Sequence, residues 1–394
     1  MTDRQETWIT GIGLISSLGE GLDAHWEALE QGRVNVDDKT FAPWLVHPLA
    51  PVTFDAQIPK KSDQRQMEAL QRIGTYAAGL ALESAGIKGK ADLLARTDMI
   101  VASGGGERDV GVDAAIMTEM VASGAPSGLV NERLMHNLRP TLFLAQLPNL
   151  LAGNISIVHG VTGSSRTFMG EEEAGINAVR IAFARIAAGQ SDIALVGGAY
   201  NSERLDLMLL YECAAALRRE FAPVWQRGPA GGFAPGSAGV FLVIESRRHA
   251  EARGARPFAR LAGAVAGHAR RAPQETLTGT FEAMWRELGP READAAIVTT
   301  ATGAEPATAG ERRFLEAHAD VPVRGLGTRF GNTMEAQFPL AVAIGALSLS
   351  RGALFAPGDA SGVERAASQA PAQVVAVCAG HWRGEGMALI ERAK

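Results

Sequence analysis

The sequence predicts an α/β fold built around a largely parallel sheet. Short apolar runs alternate with longer segments of helical periodicity along its 394 residues, which is the pattern of strand–helix–strand units. Strands are expected at residues 8–12, 98–102, 166–169, 193–197, 240–245, 258–264, 295–299, 374–377 and 386–390. Helices are expected at residues 23–30, 68–85, 141–150, 171–188, 310–317 and 335–349.

The two parts of the chain, residues 1–250 and 251–394, end with the same succession of patterns. Each has a strand, a nearly all-apolar helix, a strand followed by glycine, and a paired apolar strand, which reads VFLVIE at 240–245 and GMALIE at 386–391. This similarity indicates an internal duplication. Because no long polar or Pro/Ser-rich linker separates the halves, we expect them to form one compact body.

Composition excludes several classes of protein. Hydrophobic residues make up 46% of the chain and no apolar run reaches the roughly 18 residues of a membrane span, and the first residues lack a signal-peptide pattern. We therefore expect a cytoplasmic protein. A net charge of -5 argues against a nucleic-acid partner. With only Cys213 and Cys378, we expect two buried thiols, no disulfide framework and no metal site.

The segment GVTGSSRTFMGEEEAGINAVRIAFARIAAGQSDIALVGGA, residues 160–199, carries the most information. Apolar residues cover nearly every face between 174 and 188, so this helix is expected to run through the interior and to end at Gly189. A buried helix N-terminus holds an anion or lowers the pKa of a thiol. The three glutamates at 171–173 either complement the helix dipole, or one of them occupies a site built for a nucleophile.

Several blocks of sequence, in order, resemble the β-ketoacyl-acyl carrier protein synthases, KAS II-like condensing enzymes of the thiolase-fold family. They are ITGIGLISSLGEGLDAHWEALEQG at 9–32, KKSDQRQMEALQRIGTYAAGLALESAGI at 60–87, GQSDIALVGGA at 189–199 and GGFAPGSAGVFLVIESRRHAEARGA at 231–255. The resemblance implies a thiolase-like fold with a duplicated five-layered αβαβα architecture, mixed sheets and a buried central helix.

The family joins an acyl thioester on a cysteine to a malonyl unit with the help of two histidines. Alignment of the nucleophile segment on its glycines and on Thr167 places Glu172 at the cysteine position. VTTATGAEPATAGE at 298–311 places Thr300 at the first histidine, and GTRFGNTMEAQF at 327–338 places Asn332 at the second histidine. The resemblance therefore implies that this chain has no catalytic residues of the family kind, because Thr and Asn exchange no proton near neutral pH.

The segment CAGHWRGEGMAL at 378–389 corresponds to the turn that lines the family's pocket. Gly380 stands at the position of the mobile gate phenylalanine. His381 lies three residues from Cys378, and the two could form a nucleophile–base pair, although a tight turn rarely lets such side chains meet. The resemblance implies a pocket or acyl tunnel lined by Phe168, Glu172, Phe233, Cys378, Gly380, His381 and Trp382.

The segments IPKKSDQRQME at 58–68, 132–172 and APVW at 222–225 resemble the cysteine-less, chain-length-factor-like subunit of the α-proteobacterial very-long-chain fatty acid (lipid A) synthase pair. This resemblance implies a dimer across the strand RTFM, either a heterodimer with an active synthase or a homodimer. It also implies an acyl carrier protein whose phosphopantetheine thioester is the bound substrate arm, and no other cofactor. Two alternatives remain: a residual acyltransferase or malonyl decarboxylase using Asn332 as a donor, and an acyl-chain-binding scaffold homodimer.

Overall fold

The computed structural model describes residues 4–139, 144, 146–214, 216–271, 274–367 and 369–393. Strands β1 to β11 are Thr7–Ser16, Gly19–Glu20, Asp98–Ser103, Ser165–Phe168, Ile193–Tyr200, Ala238–Ser246, Ala259–Gly267, Ala295–Thr299, Val323–Gly325, Gln373–Ala379 and Glu385–Glu391. Helices α1 to α14 are Gly21–Glu30, Lys61–Gln66, Ala69–Ser84, Ala91–Leu94, Val110–Ser123, Leu129–Asn137, Leu150–His159, Glu172–Ala187, Leu205–Cys213, Arg247–Ala252, Gln274–Leu288, Ala307–Ala317, Gly327–Phe330 and Gln337–Arg351.

Every predicted strand is present, and the short strands β2 and β9 are additional. Five of the six predicted helices correspond to α1, α3, α8, α12 and α14. The sixth, at residues 141–150, falls partly on residues outside those described, and α7 begins at its last residue. The longer helices α5, α6, α9 and α11 and the short helices α2, α4, α10 and α13 were not predicted.

The strands of the described residues form one mixed sheet in the order β4-β3-β5-β6-β1-β7-β11-β10-β8-β9, with β2 paired to β1. The two halves meet where β1 pairs antiparallel with β7 through Thr7–Leu261, Trp8–Arg260 and Ile9–Ala259. The layered architecture implied by the family resemblance is thus confirmed, with the sheets of the two halves joined at this short ladder.

The halves repeat one topology. With β2 left out, each half has five strands, and their order across the sheet is the same in both halves. That order, by position along the chain, is third, second, fourth, fifth and first: β4-β3-β5-β6-β1 in the first half and β9-β8-β10-β11-β7 in the second half. The senses of pairing also agree: β3 is parallel to β4 and β5 as β8 is to β9 and β10, and the remaining pairs are antiparallel. This repeat supports the internal duplication, while the boundary at 250/251 stays a prediction.

Two helices fill the middle of the molecule. Helix α8 packs on β5 and β3, α14 packs on β10 and β11, and the two helices contact each other. The outer faces are covered by α3 and α7 in the first half and by α11 and α12 in the second half. The predicted interior course of α8 is therefore confirmed, and its N-terminus lies between the halves.

Two other expectations have different outcomes. Cys378 is buried in β10, but Cys213 is exposed at the last residue of α9, so the expectation of two buried thiols was wrong for Cys213. The error arose because α9 was not recognised as a helix whose last turn faces outward. Among the described helices, none has the length and apolar character that crossing a bilayer would need.

Candidate active-site cavity

A sharp turn between β4 and α8 places Glu172 in the interior. Gly170 has a φ of +125°, and Glu171 has a φ of +56° with a ψ of −132°, a conformation that L-residues rarely adopt. Glu172 is the first residue of α8 and its side chain is only 1% exposed. The turn that follows β4 therefore positions the Glu172 carboxylate at the buried N-terminus of α8.

Two residues of the second half hold this carboxylate. Asn332 Nδ2 donates to Glu172 Oε1 at 2.7 Å, and His381 Nδ1 donates to the same oxygen at 2.8 Å. Burial alone would raise the pKa of Glu172, but the charge of His381 and the hydrogen bonds from His381 and Asn332 outweigh burial and lower that pKa. Glu172 is therefore an ionised, fully hydrogen-bonded carboxylate.

Asn332 is oriented by its own backbone and side-chain contacts. Its N–H donates to the Ala234 carbonyl and its carbonyl accepts from Gly236 N–H, both at 2.8 Å. Its Oδ1 accepts from Met334 N–H at 2.9 Å, which leaves Nδ2 facing Glu172. The amide donor is thus committed to the carboxylate.

His381 lies among aromatic rings. The ring centroids of Tyr211, Phe233 and Trp382 are 5.5, 5.1 and 5.2 Å from its own. Burial lowers the pKa of His381, but the charge and hydrogen bond of Glu172 more than offset this and raise the pKa above its usual value. Tyr211 also donates through its hydroxyl to Glu171 Oε1 at 3.1 Å, and burial raises the pKa of Glu171.

The turn that carries His381 is fixed by backbone contacts. Gly380 N–H donates to the Gly384 carbonyl at 2.8 Å, and Arg271 Nη2 donates to the Gly380 carbonyl at 2.6 Å. A Cβ at Gly380 would lie 2.0 Å from the Arg383 carbonyl oxygen. No side chain therefore fits at the position where the family resemblance places the gate phenylalanine.

Thr300 and Cys378 are buried together. Thr300 Oγ1 donates to the Val377 carbonyl at 3.3 Å, and the Thr300 carbonyl accepts from Gln337 Nε2 at 2.7 Å. Burial raises the pKa of the Cys378 thiol well above its usual value. The structure pairs His381 with Glu172 rather than with Cys378, so it gives no support to a nucleophile–base pair of His381 and Cys378.

The structure brings only some of the predicted pocket residues together. Glu172, Asn332, His381 and Phe233 form one buried cluster. Phe168 packs half-buried against the main core, and Trp382 is half exposed beside His381. The role of these residues as a pocket or tunnel stays a prediction.

Sequence reasoning missed three acidic or phenolic residues near the cavity. Tyr211 was missed because α9 was not predicted. Glu335 is buried, and burial raises its pKa to about 7. Glu311 is also buried, accepts a hydrogen bond from Thr299 Oγ1, and has its pKa raised by burial to about 7. An acidic residue inside a helix pattern is ordinarily solvated, so the sequence contained no signal for the two glutamates.

A family model described as "Beta-ketoacyl synthase, N-terminal domain" matches residues 5–250. The chain belongs to the β-ketoacyl synthase family. It is 26% identical over 298 residues to 3-oxoacyl-[acyl-carrier-protein] synthase 2 of Vibrio harveyi, covering 73% of this chain and 69% of that protein. It is 25% identical over 382 residues to the oxytetracycline polyketide putative β-ketoacyl synthase 1 of Streptomyces rimosus, covering 89% and 86%.

Solved ketosynthase structures share the fold. The ishigamide ketosynthase/chain length factor superposes with a TM-score of 0.81 at 19% identity, covering 99% of this chain and 100% of that chain. A β-ketoacyl synthase from Burkholderia phymatum STM815 gives a TM-score of 0.80 at 19% identity with the same coverage. AntDE:AntF, a type II polyketide acyl carrier protein in complex with its ketosynthase, gives 0.72 at 18% identity, also with that coverage.

Within this β-ketoacyl synthase fold, Glu172 and His381 form a buried ion pair. The assignment of Glu172, Thr300 and Asn332 to the family's three catalytic positions stays a prediction. The geometry shows that Glu172 is a hydrogen-bonded carboxylate and that Asn332 donates to it. A carboxylate stabilised by two donors is a poor nucleophile, since nucleophiles need an adjacent base or a destabilised charge to be activated.

Proposed function

We propose that this chain is a noncatalytic partner subunit that shapes the acyl tunnel of an active β-ketoacyl-acyl carrier protein synthase. The observation that carries the proposal is the buried Glu172, which is held by Asn332 and His381 at the end of the central helix. The ion pair occupies the place where the family resemblance expects a reactive thiolate. The chain thus keeps the shell of a synthase around an unreactive centre.

The exposed edge of the sheet supports a partner. The two edge strands are β4 and β9; β9 is buried, whereas Ser165 and Arg166 of β4 are exposed. Met169, directly after β4, is 63% exposed, and Ile157 of α7, which packs on β4, is 72% exposed. An unpaired edge strand beside exposed apolar side chains is a ready pairing surface.

The partner and substrate follow from the resemblances. A ketosynthase/chain length factor pair and a ketosynthase bound to its carrier protein are both similar in fold to this chain. We take the partner to be an active synthase subunit, with the homodimer as the form adopted without it. The substrate is a long or very long acyl chain, of the lipid A kind, carried on the phosphopantetheine arm of an acyl carrier protein.

The residual decarboxylase is less well supported. That reaction needs a free hydrogen-bond donor for the developing oxyanion. Asn332 Nδ2, the donor considered for that role, gives one of its two N–H groups to Glu172 at 2.7 Å, so its direction is set by that carboxylate. The carboxylates in the cavity would also repel the malonyl carboxylate.

The test compares the chain alone with the chain co-expressed with each active synthase of its source organism. Alone, with acyl and malonyl carrier proteins, it is expected to give no β-ketoacyl product by mass spectrometry. With its partner it is expected to co-purify as a one-to-one complex and to change the length of the products. A covalent acyl adduct on the lone chain, or product formed by it, would contradict the proposal.

The variant Glu172→Cys sharpens this test. If the missing thiol were the only reason for inactivity, the variant would catalyse the condensation of acyl and malonyl units. We expect no β-ketoacyl product, because Thr300 and Asn332 supply neither acid nor base near neutral pH.

A further inference from the structure

We infer that His381 Nε2 and Glu171 Oε1 bind one first-row divalent metal ion, and that Glu172 orients His381 for this site. One oxygen of each glutamate and one ring nitrogen of the histidine lie within 4.8 Å of one another. No metal site was expected from the sequence, because Glu172 and His381 are 209 positions apart and only the fold unites them. This inference goes beyond the proposed function and does not rest on it.

The ring of His381 provides a second, independent observation. Its residue is 7% exposed, and its Nε2 has no hydrogen-bond partner among the residues that the structure describes. This nitrogen faces Glu171 Oε1 at 3.9 Å. A buried polar atom without a partner loses its hydration uncompensated, and a ligand between Nε2 and Oε1 would remove that cost.

The 3.9 Å separation suits an ion better than a hydrogen bond. A direct N–H···O bond requires about 2.7–3.2 Å between the heavy atoms. Bonds from zinc to imidazole nitrogen and to carboxylate oxygen together span roughly 4.2 Å. Around a tetrahedral ion these two bonds place the nitrogen and the oxygen about 3.4 Å apart, so Glu171 Oε1 has to approach His381 Nε2 by about 0.5 Å when the ion binds.

The surrounding contacts orient both ligands. The Nδ1–H of His381 donates to Glu172, and this ring orientation leaves Nε2 facing Glu171. A carboxylate on the second ring nitrogen is the usual support of a metal-bound histidine. Glu171 Oε1 is fixed by the Tyr211 hydroxyl at 3.1 Å, and Glu172 is fixed by Asn332 at 2.7 Å.

The donor set also indicates the class of ion. An imidazole with carboxylate oxygens suits zinc, iron, nickel or manganese better than the all-oxygen cations calcium and magnesium. An ion that displaces the Nε2 proton leaves a neutral imidazole beside two glutamates, whose two negative charges a divalent cation balances. A proton on Nε2 is the competing occupant, and the experiment must separate the two.

The experiment uses the full chain without a histidine tag, in a Cys213→Ser background that removes the exposed thiol. After chelator treatment, Zn²⁺ is titrated by calorimetry, and Co²⁺ binding is followed by its visible absorption. We expect one ion per chain. Glu171→Gln and His381→Gln should each weaken binding roughly 100-fold or more, and Glu172→Gln should weaken it roughly 10–100-fold, as loss of an orienting carboxylate does.

The matched control is His268→Gln, a 67% exposed histidine paired with Glu173, which should leave affinity unchanged. Should His381→Gln fail to fold by circular dichroism, Glu171→Gln carries the test alone. Far less than one ion per chain, or equal affinity in Glu171→Gln and the unsubstituted chain, would overturn the proposal and leave the proton as the occupant of Nε2.

Discussion

At the scale of single residues, Glu172 and His381 make each other's burial possible. A lone carboxylate or imidazolium in the interior loses its hydration, and only an opposite charge with good hydrogen bonds offsets that loss. Here the two groups meet at 2.8 Å, and Asn332 satisfies a further lone pair of the carboxylate. Removing either partner leaves the other as a buried charge without a counter-charge, so substitutions at this pair should destabilise the folded chain strongly.

Glu172→Ala is therefore expected to lower the free energy of unfolding by about 3–5 kcal/mol, the usual cost of breaking a buried pair. Urea denaturation of the isolated chain measures this loss. Glu173→Ala, one residue further along α8, removes a 3.2 Å pair with the exposed Arg383 and should cost about 0–1 kcal/mol. If the two variants lost the same free energy of unfolding, the buried pair would contribute no more to stability than the exposed pair.

Glu311 is a second residue whose environment determines its protonation state. It is completely buried, it accepts one hydrogen bond from Thr299, and its Oε2 has no partner among the described atoms. Burial raises its pKa from 4.5 to about 7. Between pH 4.5 and about pH 7, the folded chain therefore retains a proton on Glu311 that the unfolded chain releases.

It follows that the free energy of unfolding should fall as pH rises from 4.5 to about 7 and then level off. Glu311→Gln removes this dependence. The free energy of unfolding of the variant minus that of the unsubstituted chain should therefore rise by roughly 3 kcal/mol between pH 4.5 and about pH 7. Urea titrations at several pH values measure the difference. Glu316→Gln, an exposed glutamate on the same helix, should show no such change, and a parallel response of the two variants would refute the assignment.

At the scale of elements, the close approach of α8 and α14 depends on a glycine. A Cβ on Gly175 would lie 2.5 Å from the Glu335 carbonyl oxygen and 2.9 Å from Pro339 Cδ. Neither backbone nor a proline ring can move aside easily. The central helices therefore pack at a distance that only glycine permits.

Gly175→Ala should consequently destabilise the chain by about 1–3 kcal/mol, the cost of overpacking a filled core. Gly153→Ala on α7 is the matched control, since its new methyl would have Leu150 Cδ1 as its nearest neighbour at 3.8 Å. That variant should gain about 0.5–1 kcal/mol from helix propensity. Thermal or urea denaturation measures the change in stability of each variant. If Gly175→Ala were as stable as the unsubstituted chain, the two helices would be able to move apart to accommodate the methyl group.

The elements that sequence could predict are those whose pattern reflects burial. Strands such as β5 and β6 are buried on both faces and read as continuous apolar runs, which identifies them. Helix α5 was missed because its apolar residues are almost all exposed and only Ile116 is buried, so it lacks a one-sided stripe. The contact of His381 with Glu172 could not be predicted, because it depends on how two distant turns meet.

At the scale of the whole molecule, the buried cluster of Glu172, Asn332 and His381 exists only because the halves pack together. Glu172 comes from the central helix of the first half, whereas Asn332 and His381 come from loops of the second half. Duplication of one topology places these loops at equivalent ends of the joined sheet. The ion pair thus links the halves as well as filling the centre.

The proposed partner surface leads to the last prediction, which concerns β4 and its surroundings. Helix α9 lies beside the β4–α8 turn, as the Tyr211–Glu171 hydrogen bond shows, and it exposes Leu209 and Leu210. Like Met169 and Ile157, these two leucines are apolar side chains exposed to solvent. A charge placed there would have to be desolvated when a partner binds.

Met169→Asp is therefore expected to weaken association with the partner, or with a second copy, by roughly tenfold or more, which corresponds to about 1.4 kcal/mol. Because Met169 is 63% exposed, its replacement should leave the unfolding temperature of the isolated chain nearly unchanged. Analytical ultracentrifugation over a range of concentrations measures the association. Arg286→Asp on α11, which covers the outer face of the second half, is the control and should associate normally. If both variants associated like the unsubstituted chain, the pairing surface would have to lie elsewhere than at β4.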